Sequence, residues 1–315
     1  MSIAAQKTKF EITDFEQFAE TFIPWDLDHR QLDRGPFSAS ITQIKFENGT
    51  ASHNRINRCL EVAGQSPVGA ATFVVAVRPQ AEMYSGGQPI TSETISVIGE
   101  NEEIIANTKA PRDGLNVVIP LAHLDELAQL GDIAGHEKNL RYGGVFDLSA
   151  PEIEKLRFKL RALFTAWPRN GQQDAEASNA ERLDLAAIIC LQAISNRPSQ
   201  DLTTATSRGK AVDTVIDYLD STDGLMISIV DLCRQTDVGL RALEYGFKER
   251  YGLSPKAYLK ARQLSEFRRR LVTGDRRKHR IGAIAKDIGF RHLSQLSTDY
   301  FRHFGELPSD TLRNQ

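Results

Sequence analysis

Two groups of polar side chains lie near the end of this 315-residue chain at spacings suited to one surface. Arg241, Glu244, Tyr245 and Lys248 follow one another at i, i+3, i+4 and i+7, which puts them on one face of a helix. Arg291, Ser294, Gln295, Thr298 and Arg302 repeat the pattern further along. Their chemistry is that of reading base edges: Arg forks onto guanine, Gln onto adenine, and Glu accepts from cytosine. Arg268 to Arg270 and Arg276 to Arg280 are expected to meet phosphate or solvent rather than bases.

A second arrangement involves arginines alone. Arg30 and Arg34 bracket Gln31-Leu32-Asp33 just before the first strand predicted from the sequence. Two guanidiniums so spaced can grip phosphates bidentately and lie against guanine faces; the same pair also reads as a solvated surface pair. Arg55 and Arg58 could add phosphate contacts. His29, His53, His123 and His136 lack the His-x-His spacing of a cupin metal site, so no catalytic or metal-binding residue is expected. Cys59, Cys190 and Cys233 are far apart and read as buried, reduced thiols.

These residues need elements to hold them. Residues 38–119 read as short strands: Ser38–Phe46, ending at the turn Glu47-Asn48-Gly49, then Thr72–Val77, Thr91–Ile98 and Gly114–Ile119. Such a series suggests a barrel or sandwich. From Pro151 the period changes to that of helices. Residues 151–167 and 180–195 form two amphipathic helices suited to an antiparallel, dimerising pair. The polar stretch 197–207 is the expected linker, which divides the chain into 1–200 and 207–315.

The second part reads as helical throughout: 208–219, 229–235 with Ser228 as N-cap, 240–251, a long helix from Ser254-Pro255 to about 272, 280–288, 293–304 and 309–313. Within it a unit recurs. Residues 228–255 and 281–308 align if the second turn is one residue longer. Leu232-Cys233 then matches Ile284-Ala285, Leu243 matches Leu296, and Phe247 matches Tyr300. Tyr251-Gly252 matches Phe304-Gly305, and Pro255 matches Pro308. Leu240, Leu243 and Phe247 are expected to face the core, as are Leu293, Leu296 and Tyr300 or Phe301. Charge divides in the same place. Residues 207–315 carry 20 Lys and Arg against 14 Asp and Glu, whereas 1–206 carry 19 against 27.

The ordered matches Leu232, Leu243, Phe247, Gly252-Leu253-Ser254-Pro255, Tyr258 and Leu264, then Ile284-Ala285, Gly289-Phe290, Phe301 or Phe304 with Gly305, and Pro308, resemble the AraC/XylS family of regulators over about the last hundred residues. Leu296 stands where that family usually has an aromatic, and Gly239 where it usually has a polar residue. Residues 292–300 look most like its ethanolamine-regulator branch. The Arg30/Arg34 pair resembles the cyclic di-GMP motif of PilZ domains, although the second PilZ element is absent.

The resemblance implies an α+β chain: an N-terminal cupin-like β-barrel with a helical dimerisation hairpin, and an all-α domain with two helix-turn-helix units. It implies a homodimeric transcriptional activator that binds promoter DNA, contacts RNA polymerase and answers to a small-molecule or nucleotide effector. Cyclic di-GMP, with control of exopolysaccharide genes, is one expectation. Another small metabolite in the barrel interior is a second, and a cupin-like enzyme fused to a DNA-binding domain a third. No cofactor and no membrane association are expected, and the start of the chain lacks the apolar core of a signal peptide, which points to the cytoplasm.

Overall fold

The computed structural model describes residues 5–21, 25–77, 83–100, 102–109, 111–165, 174–200, 207–222, 226–273 and 281–313. The arginine run 276–280 and most of the expected linker lie outside these residues. By their contacts the residues form two compact units. The first comprises Met1–Asp28, Ser38–Asn57 and Val62–Leu202; the second comprises His29–Phe37, Arg58–Glu61 and Thr203–Gln315. The helical unit thus includes two short stretches from the N-terminal part of the chain.

The first unit holds the strands β1 (Gln6–Ile12), β2 (Asp26–Gln31), β3 (Ala39–Phe46), β4 (Gly49–Ile56), β5 (Leu60–Gln65), β6 (Ala70–Ala76), β7 (Met83–Ser85), β8 (Gln88–Ile90), β9 (Thr94–Ile98), β10 (Glu103–Thr108), β11 (Arg112–Pro120) and β12 (Gly144–Asp147). The last residues of β2 and the first of β5 belong to the second unit. The helices of the first unit are α1 (Phe15–Glu20), α2 (Leu121–Leu130), α3 (Glu137–Tyr142), α4 (Ala150–Thr165) and α5 (Asp174–Ile194). α4 and α5 are the two helices read from the sequence.

The strands pair into two sheets, of order β1-β3-β4-β11-β6-β9-β12 and β2-β5-β10-β7-β8. The expected barrel is not closed among the described residues. β1 and β12 end the larger sheet without pairing to each other, and the other five strands form a separate sheet. The four strands read from the sequence all fall in the larger sheet. β3 and β4 meet at the two-residue turn Glu47-Asn48, with Phe46 opposite Gly49 at φ 152°.

β6 explains why an uninterrupted apolar run belongs at the sheet centre: both its faces are buried. On one face Phe73 and Val75 join Ile95, Val97, Leu115 and Val117 under α2, α4 and α5, which contribute Leu124, Leu156, Leu160, Leu183 and Leu191. On the other face Val74, with Val145, meets Met83 and Ile90 of the smaller sheet.

The second unit is helical: α6 (Ser207–Ser221), α7 (Ile229–Thr236), α8 (Leu240–Tyr251), α9 (Pro255–Thr273), α10 (Ile281–Ile288), α11 (Leu293–Phe304) and α12 (Pro308–Arg313). It has two cores. Val212, Val215, Leu232, Leu243, Phe247 and Tyr258 form one. Phe267, Leu271, Ile284, Ala285, Leu296 and Tyr300 form the other. α9 supplies side chains to both. No helix among the described residues is long and apolar enough to cross a membrane.

Candidate nucleic-acid interface

Two helix-turn-helix units emerge from the repeat. In the first, Ser228 caps α7 by accepting from the backbone N–H of Asp231 at 3.1 Å. Asp237 then reverses the chain in the left-handed region at φ 54°, and residues 237–239 lead into α8. In the second, Gly289 takes the left-handed position at φ 96° and residues 289–292 lead into α11. The second turn is longer by one residue, as the internal alignment requires. Gly252 at φ 71° and Gly305 at φ 82° stop the two twelve-residue helices.

Each helix buries one stripe. Leu243 and Phe247 of α8, and Leu296 and Tyr300 of α11, are at most 1% exposed. Two expected core positions prove otherwise, Leu240 and Leu293, each about half exposed; of the alternatives Tyr300 and Phe301, Tyr300 is the buried one. Leu240 and Leu293 open their helices, one turn before the stripe meets the core. Phe301 is displaced by Tyr300, which takes the inward position and bonds to Thr311 at 2.7 Å.

All nine expected base-reading residues are exposed: Arg241, Glu244, Tyr245 and Lys248 on α8, Arg291 at the turn, and Ser294, Gln295, Thr298 and Arg302 on α11. Several are held in place. The Arg208 guanidinium lies 5.0 Å from the centre of the Tyr245 ring. Lys248 donates to the Gly252 carbonyl at 3.1 Å. The Gln295 amide donates to Asp299 at 2.9 Å, and Asp299 pairs with Lys260 at 2.9 Å. Burial works to raise the Asp299 carboxyl, but Lys260, Gln295 and Arg302 together outweigh it and hold it below the usual range. Gln295 is therefore steadied by an anchored carboxylate.

The profile of a helix-turn-helix domain matches residues 232–314. The XylDLEGF operon transcriptional activator of Pseudomonas putida is 34% identical over 99 residues, 31% of each chain. The transcriptional activator RhaS of Pectobacterium carotovorum subsp. carotovorum is 24% identical over 189 residues, 59% of this chain and 64% of that one. The C-terminal domain is of the AraC/XylS family. The matches span under two thirds of the length of these relatives. Among solved structures, the AraC-like transcriptional activator CuxR is 11% identical with a TM-score of 0.45, over 82% of this chain and 94% of that one.

Not every arginine of the AraC/XylS domain is available to DNA. Arg268, expected at phosphate or solvent, is 6% exposed; it binds Glu306 and donates to the Tyr300 hydroxyl at 3.2 Å. Arg250 is buried against Asp213, and Arg262 pairs with Asp220 at 2.7 Å. Arg269 and Arg270 share Glu266. The positive balance of this domain thus overstates the charge it can offer a phosphate.

The domain also takes in residues 29–37 and 58–61. Arg30 lies within β2 and not, as expected, ahead of the first strand; β1 precedes it. Arg30 pairs with Glu61 at 3.1 Å, and Glu61 accepts from the Tyr258 hydroxyl at 2.7 Å. Leu32 enters the first core. The Gln31 amide, wholly buried, donates to the His303 carbonyl at 2.7 Å, while the His303 ring bonds the Gln31 carbonyl at 3.0 Å. Arg58 holds Asp33 at 3.2 Å and the Pro36 carbonyl at 2.9 Å. Arg34 is exposed. Arg55 lies on β4 of the other unit, 3.8 Å from Asp113. Of the four arginines grouped as an effector grip, Arg30, Arg34 and Arg58 belong to the helical unit and Arg55 to the sheet unit. The sequence pattern carried no signal for Glu61, Gln31 or His303, which act only through contacts across long sequence separations.

Among the described residues, no group of three or more His, Cys, Asp or Glu could hold a metal ion.

Proposed function

We infer that this chain is a sequence-specific DNA-binding transcription regulator that presents two reading helices per monomer to the major groove. The observation that carries the reading is the exposure of nine polar residues, four on α8, four on α11 and Arg291 at the turn before it, each helix seated by a buried stripe on its own core. The curated relatives are named as transcriptional activators, which favours activation, and with it contact to RNA polymerase. The test is selection of bound sites from random duplexes with the full chain. A recovered motif with two parts about one DNA turn apart is the expected result. Binding that shows no sequence preference would overturn it.

The first unit is the natural seat for an effector and for homodimerisation in the cytoplasm. On α4 and α5, Phe158 is 70% exposed and Leu185 is 45% exposed, large apolar side chains suited to a second copy. A different reading seats the effector on the helical unit, with cyclic di-GMP gripped by Arg30 and Arg34 and exopolysaccharide genes under its control. Such a ligand must compete with Glu61 for Arg30. Calorimetry on the wild type and on the Arg30→Ala, Arg34→Ala double variant tests it; unchanged heat would leave another metabolite as the effector.

A further inference from the structure

The helix-covered face of the seven-stranded sheet opens at one end into a cleft of about 470 Å³, within the range of small-ligand pockets. Four cations line it: Lys7, Lys9, Arg55 and Arg161. They converge for reasons of register. Alternation along β1 puts Lys7 and Lys9 on one face. Lys9 lies opposite Thr42 and Thr42 opposite His53, so these three form one row across the sheet. Arg55 lies opposite Asp113 in the next row. The last two turns of α4 bring Arg161 and Phe164, and Lys7 ties strand to helix by donating to the Phe164 carbonyl at 2.7 Å.

Among the described residues of the lining, one carboxylate, Asp113, answers these cations. It is 9% exposed and already engaged by His53 at 2.7 Å, with the Arg55 guanidinium further off at 3.8 Å. Lys9 also pairs with Glu11, but both side chains are 63% exposed, so that pair neutralises little. Arg161 contrasts with Arg157 one turn earlier on α4. Arg157 is 4% exposed and tied to the Ala76 and Ser92 carbonyls and to Glu154, a structural arginine. Arg161 is exposed and reaches the Val77 carbonyl at 3.3 Å.

The setting makes this cluster telling. Residues 1–206 carry more Asp and Glu than Lys and Arg, 27 against 19, yet this cleft gathers cations. Like charges held together raise the energy of the empty site, and an anion relieves it. Phe164, whose ring centre lies 5.8 Å from that of His53, and Val77 supply an apolar wall. We propose that this cleft binds a small organic anion with two or more negative charges, phosphate or carboxylate, and a planar part that lies against Phe164. It would give the proposed regulator an effector class, and only that consequence rests on the regulator reading.

The experiment is calorimetry on the full chain at low salt with three probes: pyrophosphate, phthalate and adenosine 5′-monophosphate. Sub-millimolar, saturable binding of at least one is expected, with the stronger of pyrophosphate and phthalate telling phosphate from carboxylate. Arg55→Ala with Arg161→Ala should weaken binding roughly tenfold or more, with an unchanged melting profile to show that the fold survives. Arg30→Ala with Arg34→Ala should leave it intact. No saturable binding by any probe, or equal binding by the Arg55/Arg161 variant, would overturn the proposal. Loss in the Arg30/Arg34 variant alone would also overturn it. A gel shift without added anion tests DNA binding separately, so failure of either reading is distinguishable.

Discussion

The hydroxyl of Tyr258 donates a buried 2.7 Å hydrogen bond to the carboxylate of Glu61, 197 residues earlier in the chain. The same carboxylate holds Arg30. A helix of the DNA-binding domain is thereby completed by residues that precede the domain in sequence.

Removing Glu61 should therefore unsettle the helices. Glu61→Ala leaves Arg30 and Tyr258 without their shared acceptor and should destabilise the protein by about 3 kcal/mol. Tyr258→Phe should cost about 1–2 kcal/mol. Urea denaturation followed by circular dichroism measures both. The fragment 207–315, which lacks Leu32 and Glu61, should melt below the full chain; equal stability would mean these contacts contribute nothing.

His303 gives the domain an acid sensitivity. Burial lowers its imidazole to about 4, the Gln31 carbonyl opposing and nearby Arg34 and Lys260 adding to the effect. Between pH 6.5 and 4 the unfolded chain binds a proton that the folded chain does not, so stability falls as pH falls through that window. The full linkage is about 3 kcal/mol. In His303→Gln the loss between pH 7 and 4 should shrink by that order; an identical pH profile would show that the ring does not titrate as its burial requires.

The two reading helices predict separable effects on DNA. Arg241→Ala and Gln295→Ala should each weaken binding to the selected site by about 1–3 kcal/mol and to random duplex by much less. Arg269→Ala should weaken both equally, because it reaches at most phosphate. Arg268→Ala should instead lower the melting temperature, because Glu306 loses its buried partner. Fluorescence anisotropy on both duplexes, alongside thermal melts, distinguishes the three classes.

Two glycines bordering or within α8 should respond in opposite ways. Gly239 caps the helix without a side-chain bond, and a Cβ there meets nothing within 4 Å. Gly239→Ser should stabilise by a few tenths of a kcal/mol. At Gly246 a Cβ would stand 2.6 Å from Val212 Cγ2 and 2.9 Å from the Arg208 carbonyl oxygen. Gly246→Ala should destabilise by about 1–3 kcal/mol despite its better helix propensity. Thermal melts of the two variants check both signs.

The helical repeat was legible because each unit combines a 3.6-residue stripe with a glycine stop. The bounds of α8 and α11 follow from Leu243/Phe247 with Gly252 and from Leu296/Tyr300 with Gly305. The sheets were legible where β-branched runs are buried on both faces, as in β6, or where an alternating run ends at a turn, as in β3. β1 and β4 were hidden because one face of each carries polar side chains, Lys7 and Lys9 on β1 and His53 and Arg55 on β4, which read as loop when no partner strand is known. For β1, lysine suits an edge strand, where it discourages pairing with other chains. The pairing of Gln31 with His303 lies 272 residues apart and has no local signature.

One consequence follows from α9, the helix that feeds both cores. Its 19 residues rise about 28 Å at 1.5 Å each, close to the ~34 Å repeat of the duplex. Mounting α8 and α11 on one continuous rod removes their freedom to swivel independently, which would make the proposed regulator a detector of helical phase. Inserting about 5 base pairs between the two halves of a site would turn the second half to the far side of the duplex. The second contact would then lose the high effective concentration that the rod provides, however good its sequence.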